Sequence, residues 1–105
     1  MRYGLADETI EKICSVFECY QEIDKAVLYG SRARGNFKPG SDIDLTLYGE
    51  NLTFDLCATV AEAMDDLLLP YTVDLSVFDT LEQTKLREHI ERVGVKIYER
   101  SNPSV

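Results

Sequence analysis

Tyr29-Gly30-Ser31-Arg32-Ala33-Arg34-Gly35-Asn36-Phe37-Lys38-Pro39-Gly40-Ser41-Asp42-Ile43-Asp44-Leu45-Thr46-Leu47 is the stretch that decides how this 105-residue chain folds. It opens where a short branched apolar run, Lys25 to Tyr29, stops at a glycine, which is the pattern of a buried strand. Residues 31–35 have the length of one helical turn, and Lys38-Pro39-Gly40 is a turn signal. Ile43, Leu45 and Leu47 then alternate with Asp44, Thr46 and Tyr48, the period of a strand with one face in the core. On such a strand Asp42 and Asp44 point to the same side, away from that core.

The flanks supply the rest of the fold. Upstream, Asp7 is the expected N-cap of an amphipathic helix that runs to about residue 20, with Ile10, Ile13, Cys14 and Phe17 at helical spacing. Downstream, Leu56, Val60, Ala63, Met64 and Leu67 mark a second helix, ended by Pro70. Val73, Leu75 and Val77 alternate as a strand, and Thr80 with Gln83 fits a capping box. Leu86, Ile90 and Val93 stripe a third helix with Gly94 as its C-cap, and residues 95–98 read as a last strand. The order predicts an α/β or α+β fold, one sheet with helical cover. One domain over 1–105 is expected, with a core at about 7–98 and a frayed tail at 99–105.

Composition narrows the class. The chain is 45% hydrophobic and 29% charged, and no apolar run approaches the roughly 20 residues that cross a bilayer. The N-terminus reads as lacking a signal segment, so no membrane association and a cytoplasmic location are expected. Cys14, Cys19 and Cys57 are odd in number and form no Cys-x-x-Cys pair, which fits buried thiols in a reducing compartment. The only histidine, His89, lies far from them in sequence, against a zinc site, and reads as a surface or half-buried residue. The net charge of −8 disfavours nonspecific binding to nucleic acid. Residues 30–40 break the trend, with Arg32, Arg34 and Lys38 and no acid. Such an island is either a solvated loop or a phosphate site.

The neighbouring residues favour phosphate. Gly30 allows a sharp bend and close approach of a ligand to the main chain. Ser31 and the amides after it can donate to phosphate oxygens. Asp42 and Asp44 repel one another unless a hard cation such as Mg²⁺ neutralises them. Asp74, between core-facing Val73 and Leu75, faces the same side as they do, so all three acids converge if the two strands are neighbours. Asp74 is then placed to bind metal and to take a proton from an attacking hydroxyl.

Gly30-Ser31, ten intervening residues and Asp42-Ile43-Asp44 resemble the signature of the DNA polymerase β-like nucleotidyltransferase superfamily. From about residue 24 to 98 the chain is similar to its smallest members, the minimal nucleotidyltransferases or MntA-type antitoxins encoded beside HEPN-domain toxins. Val73-Asp74-Leu75 and Ile90-x-x-x-Gly94-x-x-Ile97-Tyr98 belong to that likeness. The resemblance implies a mixed sheet flanked by helices, two Mg²⁺ ions, and transfer of a nucleoside monophosphate from ATP or another nucleoside triphosphate with release of pyrophosphate. It implies that Gly30 and Ser31 hold the triphosphate, that Asp42 and Asp44 hold the metals, and that Asp74 completes the metal site and activates the acceptor. Arg32 and Arg34 would meet phosphate or pair with a nearby acid. Larger members carry a C-terminal helical domain, for which this sequence reads as too short, so a partner is expected to complete the acceptor site. The favoured acceptor is a hydroxyl on a HEPN-type toxin, and the modification AMP. The alternatives are a non-catalytic module that silences a toxin by contact, and a small-molecule enzyme like the aminoglycoside nucleotidyltransferases. A homo-oligomer stays open.

Overall fold

The structure, a computed structural model, describes residues 1–100. Residues 101–105 of the expected tail lie outside the described residues. The elements run α1 (Asp7–Glu18), β1 (Lys25–Tyr29), α2 (Gly30–Arg34), β2 (Ile43–Tyr48), α3 (Phe54–Asp65), β3 (Val73–Val77), a 3-10 turn (Phe78–Thr80), α4 (Thr84–Val93) and β4 (Val95–Glu99). The four strands form one mixed sheet in the order β3-β2-β1-β4. β1 pairs antiparallel with β2 and β4, while β2 and β3 run parallel, connected through α3. A parallel pair needs such a crossover, because a tight turn can only reverse the chain.

Alternation sorts the two faces of the sheet. Ala26, Leu28, Ile43, Leu45 and Leu47 bury one face against Ile10, Ile13 and Phe17 of α1 and Val60 and Met64 of α3. Each fully buried Leu, Ile, Val, Phe or Met side chain among them stabilises the fold by about 1.5–3 kcal/mol. The other face holds a smaller cluster, Val27, Phe78 and Ile90, beneath α4. Asp44, Thr46, Asp74 and Ser76 occupy the rest of it. α4 therefore covers only part of this face and leaves the acids at its open end. Among the described residues, no helix is long and apolar enough to cross a membrane.

The helix ends differ from the sequence expectation. Ala6, not Asp7, is the N-cap of α1, and Asp7 sits in the first turn, 3.6 Å from both the chain's amino group and the Arg2 guanidinium. Charge at the helix start, with basic partners beside it, replaces the side-chain cap. The capping box at Thr80 and Gln83 does not form. α4 begins at Thr84 with no side-chain cap, and the Thr80 hydroxyl donates to Val77 O inside the 3-10 turn. Gly94 does end α4, in an extended conformation. A Cβ there would lie 2.3 Å from the Ile90 carbonyl oxygen and 2.6 Å from Val27 Cγ1, so the helix's own backbone and the packing of helix on strand both require the glycine.

Candidate active site

β2 and β3 run parallel in a register that sets Asp44 directly beside Asp74. Adjacent strands lie about 4.8 Å apart, so the two carboxylates leave the sheet side by side. Asp42 immediately precedes β2, exposed, two residues from Asp44. The sequence reading required β2 and β3 to be neighbours, and they are, in a register that includes Asp44 and Asp74 but not Asp42. Burial pushes the Asp44 carboxyl above its ordinary value, and the charges of Asp74 and then Asp42 add to the shift. Asp44 therefore senses both of the other acids.

Tyr29 of β1 pairs with Asp44 on the other side, completing a row across the sheet. Burial raises its phenol, the Ser76 hydroxyl beside it opposes that, and Asp44 and Asp74 reinforce it. Ser76 in turn donates to Thr46 Oγ1 at 3.0 Å. The floor below the acids is thus a polar ladder of Tyr29, Ser76 and Thr46.

Gly30 follows Tyr29 with φ of +76°, a conformation that side chains disfavour. A Cβ at this position would sit 2.5 Å from Asp44 Oδ2. The bare backbone is what allows the turn to press against the carboxylate. Half-buried Ser31 comes next in α2, a single short turn closed by Gly35 at φ of +87°. The Gly-Ser turn and the acids thus share one end of the sheet.

The two arginines of α2 part company. Arg32 was expected at phosphate or at an acid, and instead it is 1% exposed. Its guanidinium donates four hydrogen bonds to the carbonyls of Tyr3, Pro39 and Ser41. Phe37 and Tyr71 flank it, with ring centroids 5.2 and 4.8 Å away. Its donors are committed to tying the N-terminal turn and the basic loop together, and the loop it grips ends at Ser41, next to Asp42. Arg34 is exposed, and among the described residues it makes no ion pair.

One contact escaped the sequence reading. Gly30 N–H donates to Nε2 of half-buried His89 at 3.3 Å, and the imidazole meets the Tyr29 ring edge-on, centroids 6.4 Å apart at 81°. A helical signal for it existed: His89 is three residues after Leu86 and four before Val93, beside the buried stripe.

The donor set suits a hard divalent cation. Asp44 and Asp74 are adjacent, Asp42 is near, and a cation between them would relieve the repulsion that raises Asp44. Among the described residues, no three His, Cys, Asp or Glu side chains are grouped closely enough to hold a metal ion by themselves, so the three acids do not form a metal cluster in this structure.

Known structures share this fold. The chain resembles the crystal structure of a toxin–antitoxin complex with AMP-PNP at 20% identity and a TM-score of 0.71, over 87% of this chain and 73% of the other. It resembles an MntA–HepT toxin–antitoxin structure at 18% identity and a TM-score of 0.67, over 90% and 74%. A third similar structure is the tri-AMPylated Shewanella oneidensis HEPN toxin in complex with MNT antitoxin, at 18% identity and a TM-score of 0.66, over 89% and 71%. These identities establish a common fold. No curated protein matches the sequence significantly. The family described as polymerase beta, nucleotidyltransferase, matches residues 11–103. That match spans most of the chain, which therefore belongs to the polymerase beta nucleotidyltransferase family.

Proposed function

We propose that this protein transfers AMP from Mg²⁺-bound ATP to a hydroxyl group on a HEPN-type toxin and thereby silences it. The observation that carries the reading is the in-register pairing of Asp44 with Asp74, with Asp42 beside them and the Gly30-Ser31 turn at the same end of the sheet. Support for the partner comes from the similar structures, a toxin–antitoxin complex with AMP-PNP and a tri-AMPylated HEPN toxin in complex with MNT antitoxin.

Asp42 and Asp44 would hold two Mg²⁺ ions with Asp74, and the metal would neutralise charge on the phosphates and on the attacking oxygen. The Gly30-Ser31 turn would orient the triphosphate by the Ser31 hydroxyl and the amides that follow Gly30. Asp74, more exposed than Asp44, would accept the proton of the incoming hydroxyl. The acceptor oxygen bonds to the α-phosphorus, the bond from that phosphorus to the pyrophosphate oxygen breaks, and pyrophosphate leaves. Exposed Arg34 would meet the phosphates from the rim. Attached AMP adds a negative phosphodiester to a surface that must hold RNA, which repels the toxin's substrate.

Incubation of the purified pair with Mg²⁺ and ATP should add one or more AMP masses to the partner by intact-mass spectrometry. Asp74→Asn should keep Mg·ATP binding and lose about 10²–10⁴ in transfer rate, as the loss of a positioned base does. An unmodified partner, fully inhibited by the Asp42→Asn, Asp44→Asn protein, would instead establish silencing by contact alone. Arg34→Ala should weaken ATP binding and leave thermal stability within about 0.5 kcal/mol, the range for exposed positions.

A further inference from the structure

Gly30 is held from two directions. On one side its bare Cα faces Asp44 Oδ2, where a Cβ would lie at 2.5 Å. On the other, its N–H donates to His89 Nε2 at 3.3 Å. The helix that presents His89 is itself fixed. The next residue, Ile90, is 2% exposed and packs with Val27 and Phe78. Two residues earlier, Arg87 donates to Phe78 O and Leu81 O and lies 4.3 Å over the Phe78 ring. α4 therefore cannot slide, and the imidazole is delivered to the turn at a set height.

An accepting Nε2 places the proton of neutral His89 on Nδ1. The edge-on contact with Tyr29, the residue before Gly30, holds the ring in that orientation. The turn that aims Ser31 and the following amides is thus secured through a residue 59 positions away in sequence.

We propose that His89 is a positioning residue: its Nε2 holds the Gly30 amide, and through it keeps the Gly30-Ser31 turn in its phosphate-receiving conformation. The inference rests on the nucleotide-binding reading of this turn. Among the described residues, His89 makes no hydrogen bond to any of the three acids and does no chemistry. Its contribution is to spare the nucleotide the cost of ordering the turn, so its loss should fall on nucleotide affinity more than on turnover.

Two variants separate the hydrogen bond from packing. His89→Phe keeps a ring beside Tyr29 and removes the acceptor, while His89→Gln keeps an acceptor within reach of the amide. Hydrogen exchange at the Gly30 amide, followed by NMR on the full chain, reads the bond without any substrate. Exchange should quicken by roughly threefold to tenfold in His89→Phe, the weight of one neutral hydrogen bond, and return towards the native rate in His89→Gln. KM for Mg·ATP should rise by a similar factor in His89→Phe, with kcat changed less, and recover in His89→Gln. Equal Gly30 exchange in the native and Phe proteins would overturn the inference, as would a Phe variant with native KM. Melting temperature measured alongside identifies a Phe variant that has lost its fold, and the Gln variant then decides alone: faster Gly30 exchange and raised KM despite its acceptor overturn the proposal. If the Asp42→Asn, Asp44→Asn protein still binds Mg·ATP normally, the nucleotide reading itself fails, and the role assigned to His89 falls with it whatever its exchange rate.

Discussion

At the scale of single residues, Arg32 and Asp44 show how environment decides role. Arg32 lies in a basic loop beside a phosphate turn, and its sequence position alone does not distinguish a ligand contact from a structural one. The structure buries it, and its four hydrogen bonds then stabilise the loop that leads into Asp42. Arg32→Ala would strand three carbonyls and leave a void, at a cost of roughly 2–5 kcal/mol by urea denaturation. Arg32→Lys should recover little, because an ammonium cannot span the positions a planar fork reaches. Asp44 carries the opposite consequence. In metal-free protein its carboxyl holds a proton to higher pH than in the unfolded chain, where the ordinary value is 3.8. The folded state binds more protons between the two values, so stability falls as pH rises through that window and stays lower above it. Asp44→Asn should therefore melt higher than the native protein at pH 7 in EDTA, and the gap should close as pH falls below the ordinary aspartate range. Adding Mg²⁺ should raise the melting temperature of the native protein and not that of the Asn variant.

At the scale of elements, the junction of β1 and α2 is the least forgiving. Gly30→Ala combines a left-handed backbone with a Cβ placed against the Asp44 carboxylate. The backbone alone costs about 1–2 kcal/mol, and relief requires moving the acid. Thermal melting and ATP titration should both register the change, with binding lost even where the fold survives. Much of this junction was legible in the sequence. The apolar run gave β1 its bounds, alternation gave β2 and β3 their faces, and the same alternation put Asp42, Asp44 and Asp74 away from the core. Those signals are local, and period two survives any tertiary context that keeps one face buried. What pairs with what was not legible. That β3 lies beside β2, with Asp44 against Asp74, depends on the crossover through α3, and no single strand records it. The Gly30 to His89 bond and the burial of Arg32 among Phe37 and Tyr71 are likewise meetings of distant segments. The cap of α4 was misplaced because Thr80 satisfied its hydroxyl within a 3-10 turn instead.

For the whole molecule, charge and connectivity matter most. A net charge of −8 should speed encounter with a basic partner. Stopped-flow association with a HEPN-type toxin should slow by about tenfold or more as salt rises from dilute buffer to well above physiological strength, with dissociation changed far less. A salt-independent association rate would exclude steering by charge. The edge position of β3 has a different consequence. This strand is paired along one side only, the circumstance in which a sheet can misalign by a residue. Such a slip would turn Asp74 inward to the apolar layer under α3 and push Val73 and Leu75 outward. Stranding a lone carboxylate there costs several kcal/mol, so the shifted alignment is rejected during folding. Asp74 is thus a key cut for one lock position. A copy of the chain assembled wrongly at this border is inert rather than errant, because the error that would misplace the acid also prevents the edge from closing.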